Sequence, residues 1–194
     1  MTYKDYNVPR GTIEKYIELL KLWNKKINLV SYIDEEELIN RHILDSLQLI
    51  NLIKKEDVLF DLGSGAGFPG LMLSYAGVKE VHLVEKITKK ASFLISASSL
   101  SENKVIVHND SIEDIKPEYC DIITSRALAS LESIFDLSKN LAKENTKYIL
   151  LKGRNVEEEL KKALEKWNFK YIIYPSKTSP DGSILEISQL IKNE

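Results

Sequence analysis

The chain has 194 residues, is 43% hydrophobic and 29% charged, and carries a formal net charge of −2. This composition fits one globular domain with a real core, and the near balance of charge excludes a general nucleic-acid binder with a broadly basic surface. The single Cys120 excludes an internal disulfide and a Cys-x-x-Cys metal site; the polar start at residues 1–10 and the lack of a membrane-length apolar run set the expectation of a cytoplasmic protein.

Residues 12–30 predict an amphipathic helix, because Ile13, Ile17, Leu20, Trp23 and Ile27 recur at helical spacing. A second helix starts at Asp34, with Glu37 as capping-box partner, and continues with a break allowed through Arg41-His42-Ile43-Leu44-Asp45-Ser46-Leu47 to about Ile53. No proline- or serine-rich linker precedes Asp57. Residues 1–56 therefore read as a helical cap packed on a core of residues 57–194, in one compact unit. Trp23, Asn24 and Asn28, with Arg41, His42, Asp45 and Ser46, form a polar cluster that serves as an internal network or as a substrate contact. Arg41 and Asp45 share a helix face.

Next comes an apolar strand at 58–62, running into Gly63-Ser64-Gly65-Ala66-Gly67-Phe68-Pro69-Gly70. Glycines there let the backbone approach a ligand closely, and a helix opening near Pro69 presents N–H groups to an electron-rich group. Gly65, Gly67 and Gly70 satisfy the dinucleotide spacing, whereas Gly63, Gly65 and Gly67 with Asp61 suit S-adenosylmethionine, whose methionine end is cationic. The second reading is preferred; a plain strand-to-helix turn is the bland alternative.

Strands at 58–62, 81–84, 105–108, 121–124 and 148–152 alternate with helices at 70–75, 88–100, 130–143 and 156–166. That rhythm predicts a parallel sheet with helices on both faces. Two final β-leaning runs, 169–174 and 183–191, are joined by a stretch holding Ser179-Pro180-Asp181-Gly182 and read as an antiparallel hairpin. An α/β, Rossmann-like sheet closed by such a hairpin is the Class I S-adenosylmethionine-dependent methyltransferase pattern.

Glu85, at the end of the second strand, stands where an acid commonly holds ribose hydroxyls. After the third strand, Ile112 and Glu113 are placed to read an adenine edge, or Ser111 simply caps a turn. Arg126 after the fourth strand could hold a cofactor carboxylate or an RNA phosphate, or form a surface ion pair. Lys152 and Arg154 after the fifth, with Lys86, Lys89, Lys90 and Arg126, could make a basic rim that attracts phosphates, or be ordinary solvated cations. His42, His82 and His108 are scattered, without metal-ligand spacing. No nucleophile motif appears. A ring-nitrogen acceptor would need no general base, so positioning can supply the acceleration.

Trp23-Asn24…Asn28-Leu29, Arg41-His42-Ile43-Leu44-Asp45-Ser46, the glycine loop, Ser125-Arg126-Ala127-Leu128-Ala129-Ser130 and Leu151-Lys152-Gly153 together resemble the RsmG/GidB family of bacterial 16S ribosomal RNA guanine-N7 methyltransferases. The resemblance runs over nearly the whole length. It implies S-adenosylmethionine-dependent methylation of N7 of the guanine at position 527 of 16S rRNA, in the small ribosomal subunit or an assembly intermediate; separately, nothing in the sequence demands a dimer or a membrane, so a monomer is expected. It carries cofactor contacts onto Gly63, Phe68, Ile112, Glu113 and Arg126. Ser111 departs from it, since many members carry arginine there. The cofactor set expected is Asp61, Gly63, Gly65, Gly67, Phe68, Glu85, Ile112, Glu113 and Arg126. RNA candidates are Arg41, Lys89, Lys90, Arg126, Lys152 and Arg154, with Arg126 and Lys152 as positioning groups and no general base or metal. The rivals are a methyltransferase acting on another RNA or a small molecule, a cofactor-binding module without chemistry, and a dinucleotide-dependent reductase.

Overall fold

A computed structural model describes residues 2–31, 34–117 and 119–193. Seven strands form one sheet: β1 (Val58–Leu62), β2 (Glu80–Val84), β3 (Lys104–His108), β4 (Ile122–Arg126), β5 (Lys147–Lys152), β6 (Trp167–Pro175) and β7 (Ser183–Lys192). Their spatial order is β3-β2-β1-β4-β5-β7-β6. The first five run parallel, and β7 lies antiparallel between β5 and β6. Chain order reverses between β1 and β4, which places a crevice beyond their carboxyl ends. The predicted hairpin is present, with its second strand inserted next to β5.

The helices are α1 (Thr12–Asn24), α2 (Glu35–Leu38), α3 (Asp45–Leu47), α4 (Gly70–Tyr75), α5 (Thr88–Ser98), α6 (Leu131–Ser138) and α7 (Val156–Leu164). One face of the sheet joins the cap: Ile13, Tyr16, Ile17, Leu20, Ile43 and Leu47 share a hydrophobic cluster with Leu59, Leu71, Leu83 and Phe93. The other face packs Phe60, Ile123 and Leu150 against Ile134 and Phe135 of α6 and Leu160 of α7. Helix α1 ends at Asn24, earlier than its apolar spacing predicts. The Asn24 Oδ1 accepts from the N–H groups of Leu29 and Val30 at 2.8 and 3.1 Å, and its Nδ2 donates to the Val30 carbonyl at 3.0 Å. A side chain that captures downstream main chain in this way competes with the helical ladder.

Asp34 does cap α2, accepting from the Glu37 N–H at 2.8 Å. The helix then widens into a π-helical stretch, Ile39–Leu44, and tightens again after α3 into a 3₁₀ segment, Gln48–Leu52. Pro69 sits just before α4 rather than in its first turn. After β3 the chain makes only a short 3₁₀ turn, Ile112–Asp114. Helix α6 stops at Ser138, five residues before its expected end at 143, where the Ser138 hydroxyl bonds the Ile134 carbonyl at 2.7 Å and meets the Tyr148 hydroxyl at 2.8 Å. Among the described residues no helix is long and apolar enough to cross a membrane.

Candidate active site

The glycine loop leaves β1 under tight constraint. Gly67 has φ +90°, which an L side chain rarely adopts, and a Cβ there would lie 2.4 Å from Leu71 Cδ1. Gly70 is packed on the sheet: a Cβ would come 2.5 Å from Leu83 Cδ2 and 2.8 Å from Asp61 Oδ2. That gap lets the Gly70 N–H donate to Asp61 Oδ2 at 3.1 Å. Asp61 is fully buried, and among the described residues its Oδ1 has no hydrogen-bond partner. Burial pushes its carboxyl up to about 7, against pulls from Ser64, the Gly70 N–H and Arg126. The sequence places Asp61 at the cationic end of a ligand; the structure sets it beneath the loop, holding the start of α4.

Above the loop lies a cavity of about 340 Å³, lined by Gly63, Gly65, Glu85, Lys90, Ile112, Glu113, Arg126 and Leu128 among others. Glu85, only 6% exposed, ties two loops together. Its Oε2 accepts from the Gly65 N–H at 3.0 Å and its Oε1 from the Ile87 N–H at 2.8 Å. Each oxygen retains accepting capacity, so the carboxylate is held rigidly at the cavity with room for two hydroxyl donors. Asn109 Nδ2 donates to the carbonyls of Glu85 and Lys86 at 3.0 and 3.1 Å, and Asn140 Nδ2 to the Glu113 carbonyl at 3.0 Å. Ser111 begins the 3₁₀ turn without a side-chain cap bond. Ala127 has φ +53°, an uncommon conformation for a residue with a Cβ, at the cavity wall.

Arg126 stands at the junction of cavity and cap. Its Nη1 donates to the Arg41 carbonyl at 3.0 Å, its Nη2 donates to His42 Nδ1, and Asp45 Oδ2 lies 4.0 Å from Nη1. The guanidinium also sits over the Phe68 ring, 5.0 Å from its centroid. Phe68 is buried between Tyr16 and His42, with ring centroids at 5.7 and 5.1 Å. Burial and the charges of Arg126 and Arg41 push the His42 imidazole down to about 4, so it is the neutral acceptor this contact requires.

Gly67, Phe68 and Asp61 therefore stand behind the cavity, whereas Gly63, Gly65, Glu85, Ile112, Glu113 and Arg126 line it. Lys90 joins them, and Lys89 lies exposed outside.

Arg41, Lys152 and Arg154 line a second cleft, of about 620 Å³, with Asp45 and the 178–183 stretch. None of the three is a free cation. Lys152 is the correction with the clearest cause: its side chain is 7% exposed, and its Nζ donates to the Ala129 carbonyl at 3.1 Å and to Glu159 Oε2 at 2.7 Å. It braces the β5–α7 corner instead of reaching outward. Arg154 pairs with Asp181 at 3.0 Å, and Arg41 pairs with Glu37, its neighbour one turn back, although it also shares a helix face with Asp45. Asp45 turns the other way, accepting from Gln48 Nε2 at 2.8 Å and from the Thr178 hydroxyl at 2.6 Å. With the Lys177 N–H donating to Gln48 Oε1 at 2.9 Å, these bonds fasten the cap to the β6–β7 connection.

Sequence reasoning missed Tyr16. It is wholly buried, donates to the Ala66 carbonyl at 2.6 Å, and so ties α1 to the glycine loop. On the sequence it reads as one more apolar-face residue. It also missed that β2–β3 pairing brings His82 and His108 to 2.9 Å, stacked beside Phe60. Among the described residues no group of three side chains could hold a metal ion.

Residues 10–182 match the family described as rRNA small subunit methyltransferase G, GidB. A protein of Orientia tsutsugamushi (strain Boryong) named ribosomal RNA small subunit methyltransferase G is 44% identical over 187 residues, covering 94% of this chain and 93% of its own length. One of the same name from Rickettsia rickettsii (strain Sheila Smith) is 46% identical over 189 residues, covering 95% and 98%. Among solved structures, a ribosomal protein L11 methylase from Lactobacillus delbrueckii subsp. bulgaricus aligns with a TM-score of 0.62 at 15% identity, over 82% of this chain and 81% of that one. M. jannaschii TYW2 in complex with AdoMet aligns with a TM-score of 0.61 at 16% identity, over 87% and 80%. These two show the shared fold.

Proposed function

The chain belongs to the rRNA small subunit methyltransferase G family, and on that footing we propose how its own residues divide the work of methylating N7 of the guanine at position 527 of 16S rRNA. It is an S-adenosylmethionine-dependent rRNA methyltransferase. The carrying observation is the rigid Glu85 carboxylate, held by Gly65 and Ile87 at a cavity whose floor is bare glycine backbone. That chemistry fits a ribose diol lying over a loop that must come close. Ile112 offers an apolar wall and the 112–113 backbone an edge for a base, and Arg126 closes the cap side. Gly67, Phe68 and Asp61 act from behind, by shaping and supporting the loop.

S-adenosylmethionine, when bound, supplies an electrophilic methyl group on a sulfonium. The protein's part is to hold and orient. A guanine N7 carries its own lone pair, so no residue has to remove a proton before transfer, and the acceleration comes from alignment. Arg126 serves this by fixing the cap against the cavity. Arg41 and Arg154, at the rim of the second cleft, are the cations placed to meet RNA phosphates if their surface ion pairs open; such pairs are worth about 0–1 kcal/mol. Lys89 and Lys90 flank the cofactor cavity and are the other phosphate candidates. We place the reaction in the cytoplasm, on the small subunit or an assembly intermediate, with the protein acting as a monomer.

The test is transfer of labelled methyl from S-adenosylmethionine to small subunits lacking the modification, with the labelled nucleotide mapped. Label at position 527 is expected. Cofactor binding with label elsewhere, or none, would leave the fold and overturn the substrate.

A further inference from the structure

We propose that Asp45 reads the acceptor base, its carboxylate taking hydrogen bonds from N1–H and the N2 amino group of the guanine in the cleft between the cap and the β6–β7 connection. The proposal rests on the reading above, that a guanine is the acceptor.

Asp45 is anchored by one oxygen and open at the other. Oδ1 accepts from Gln48 Nε2 at 2.8 Å and the Thr178 hydroxyl at 2.6 Å. Oδ2 makes no hydrogen bond among the described residues; its nearest cation is Arg126 Nη1, at 4.0 Å. The side chain is 18% exposed and lines the cleft of about 620 Å³, a volume within the range of small-ligand sites. That oxygen opens to the cleft, where a donor can reach it. The other acids on the cleft wall already have cations: Glu159 holds Lys152, and Asp181 holds Arg154. Asp45 has only the long contact to Arg126, so its Oδ2 keeps accepting capacity for a further donor. Arg126, which also lines the cofactor cavity, joins the two sites through one side chain.

Guanine presents N1–H and N2–H side by side on the edge away from N7, a donor pair that matches a carboxylate and leaves the reacting atom free. Adenine offers an unprotonated N1 at the same place, which a carboxylate repels. The contact also gains strength as the reaction proceeds. The N7 lone pair forms the bond to the methyl carbon, the carbon–sulfur bond breaks, and its electron pair stays on sulfur as a neutral thioether. The positive charge passes to the purine, and the N1 proton stays in place but becomes more acidic. A fixed carboxylate at N1–H therefore binds the transition state better than the ground state.

The test compares small subunits reconstituted with guanosine or with inosine, which lacks the N2 amino group, at the target position. Wild type is expected to methylate inosine subunits about 10- to 100-fold more slowly in single turnover, the loss of a hydrogen bond to a charged group. Asp45→Asn is expected to lose rate on guanosine at saturating subunit, in kcat more than in KM, and to treat the two bases alike within about 3-fold. Its affinity for S-adenosylmethionine in calorimetry should match wild type. Without the methyl donor, filter binding should show a wild-type preference for guanosine subunits that Asp45→Asn abolishes. Should that variant not fold, Thr178→Val, which frees Oδ1, must lower the guanosine-to-inosine ratio. A ratio that stays at the wild-type value in the folded variant, or wild type indifferent to inosine, would overturn the proposal. Wild type that binds cofactor but methylates neither subunit would instead overturn the acceptor assignment beneath it.

Discussion

On one side of Arg126 the cavity proposed for the cofactor is shaped by short stretches that follow β1, β2, β3 and β4. On the other side the cap junction is made of side chains from residue 16, from 41–48, from 68 and from 176–178. The first region works through main chain, with Glu85 held by two backbone N–H groups. The second works through side chains that reach partners distant in sequence, as |i−j| is 50 for Tyr16–Ala66, 84 for Arg126–His42 and 133 for Thr178–Asp45. On the reading proposed above, local backbone geometry builds the donor end, and long-range side-chain pairing builds the acceptor end. Substitutions should separate the two.

The largest effect is expected from Gly70→Ala. Its Cβ meets Asp61 and Leu83 at under 3 Å, so the loop and α4 must shift. A cost of about 3 kcal/mol and loss of measurable S-adenosylmethionine binding are expected by thermal melting and calorimetry. Gly153→Ala, with nothing within 4 Å of its Cβ, is the matched control and should leave cofactor binding unchanged. Arg126→Ala comes next. It leaves Asp45 without its nearest cation and removes the link to His42 and Phe68, for about 3 kcal/mol. Methylation should fall by about 100-fold or more while cofactor affinity falls by much less. A loss confined to cofactor affinity would erase the contrast between the two regions.

A third effect is one of pH. The Asp61 carboxyl lies near 7 in the folded protein against an ordinary value of 3.8. Between those values the unfolded chain releases a proton that the native chain keeps, so this group lowers native stability as pH rises from about 4 to about 7. Asp61→Asn removes that dependence. Its Tm relative to wild type, without cofactor, should rise by several degrees between pH 4 and pH 8. A difference independent of pH would show that the buried carboxyl does not titrate there. The smallest effect is Tyr16→Phe, which strips the Ala66 carbonyl of a buried donor. About 1–2 kcal/mol of stability should go, with cofactor affinity weakened only as far as the loop loosens.

The same contrast explains what the sequence could and could not tell. Val58–Leu62, Gly70–Tyr75 and the terminal hairpin were legible because periodicity, glycine spacing and turn residues act within a few positions. Glu85, Ile112 and Glu113 followed from strand ends alone, and the structure gathers them at one cavity. Asp61 sits beside that loop in sequence, yet only the packing of Gly70 decides that it points beneath it. Lys152 reads as a free cation until Glu159, one turn into α7, is folded against it. Arg41 and Asp45 share a helix face, but each is drawn to a stronger partner, Glu37 and Thr178. Asn24 ends α1 by capturing chain that the apolar pattern assigns to the helix itself. For Lys152, Asp45 and Asp61 the outcome was fixed by partners 7 to 133 positions away, whereas the Glu37–Arg41 pair is itself an i,i+4 helical neighbour.

The most direct test of the whole arrangement replaces one atom of the acceptor. Small subunits carrying 7-deazaguanosine at the target position keep the base edge that Asp45 would read and lose only the nitrogen that takes the methyl. The account predicts labelled methyl on guanosine subunits and none on 7-deazaguanosine subunits, with the protein still binding both. Equal labelling of the two would contradict it, because the acceptor would then be some other atom.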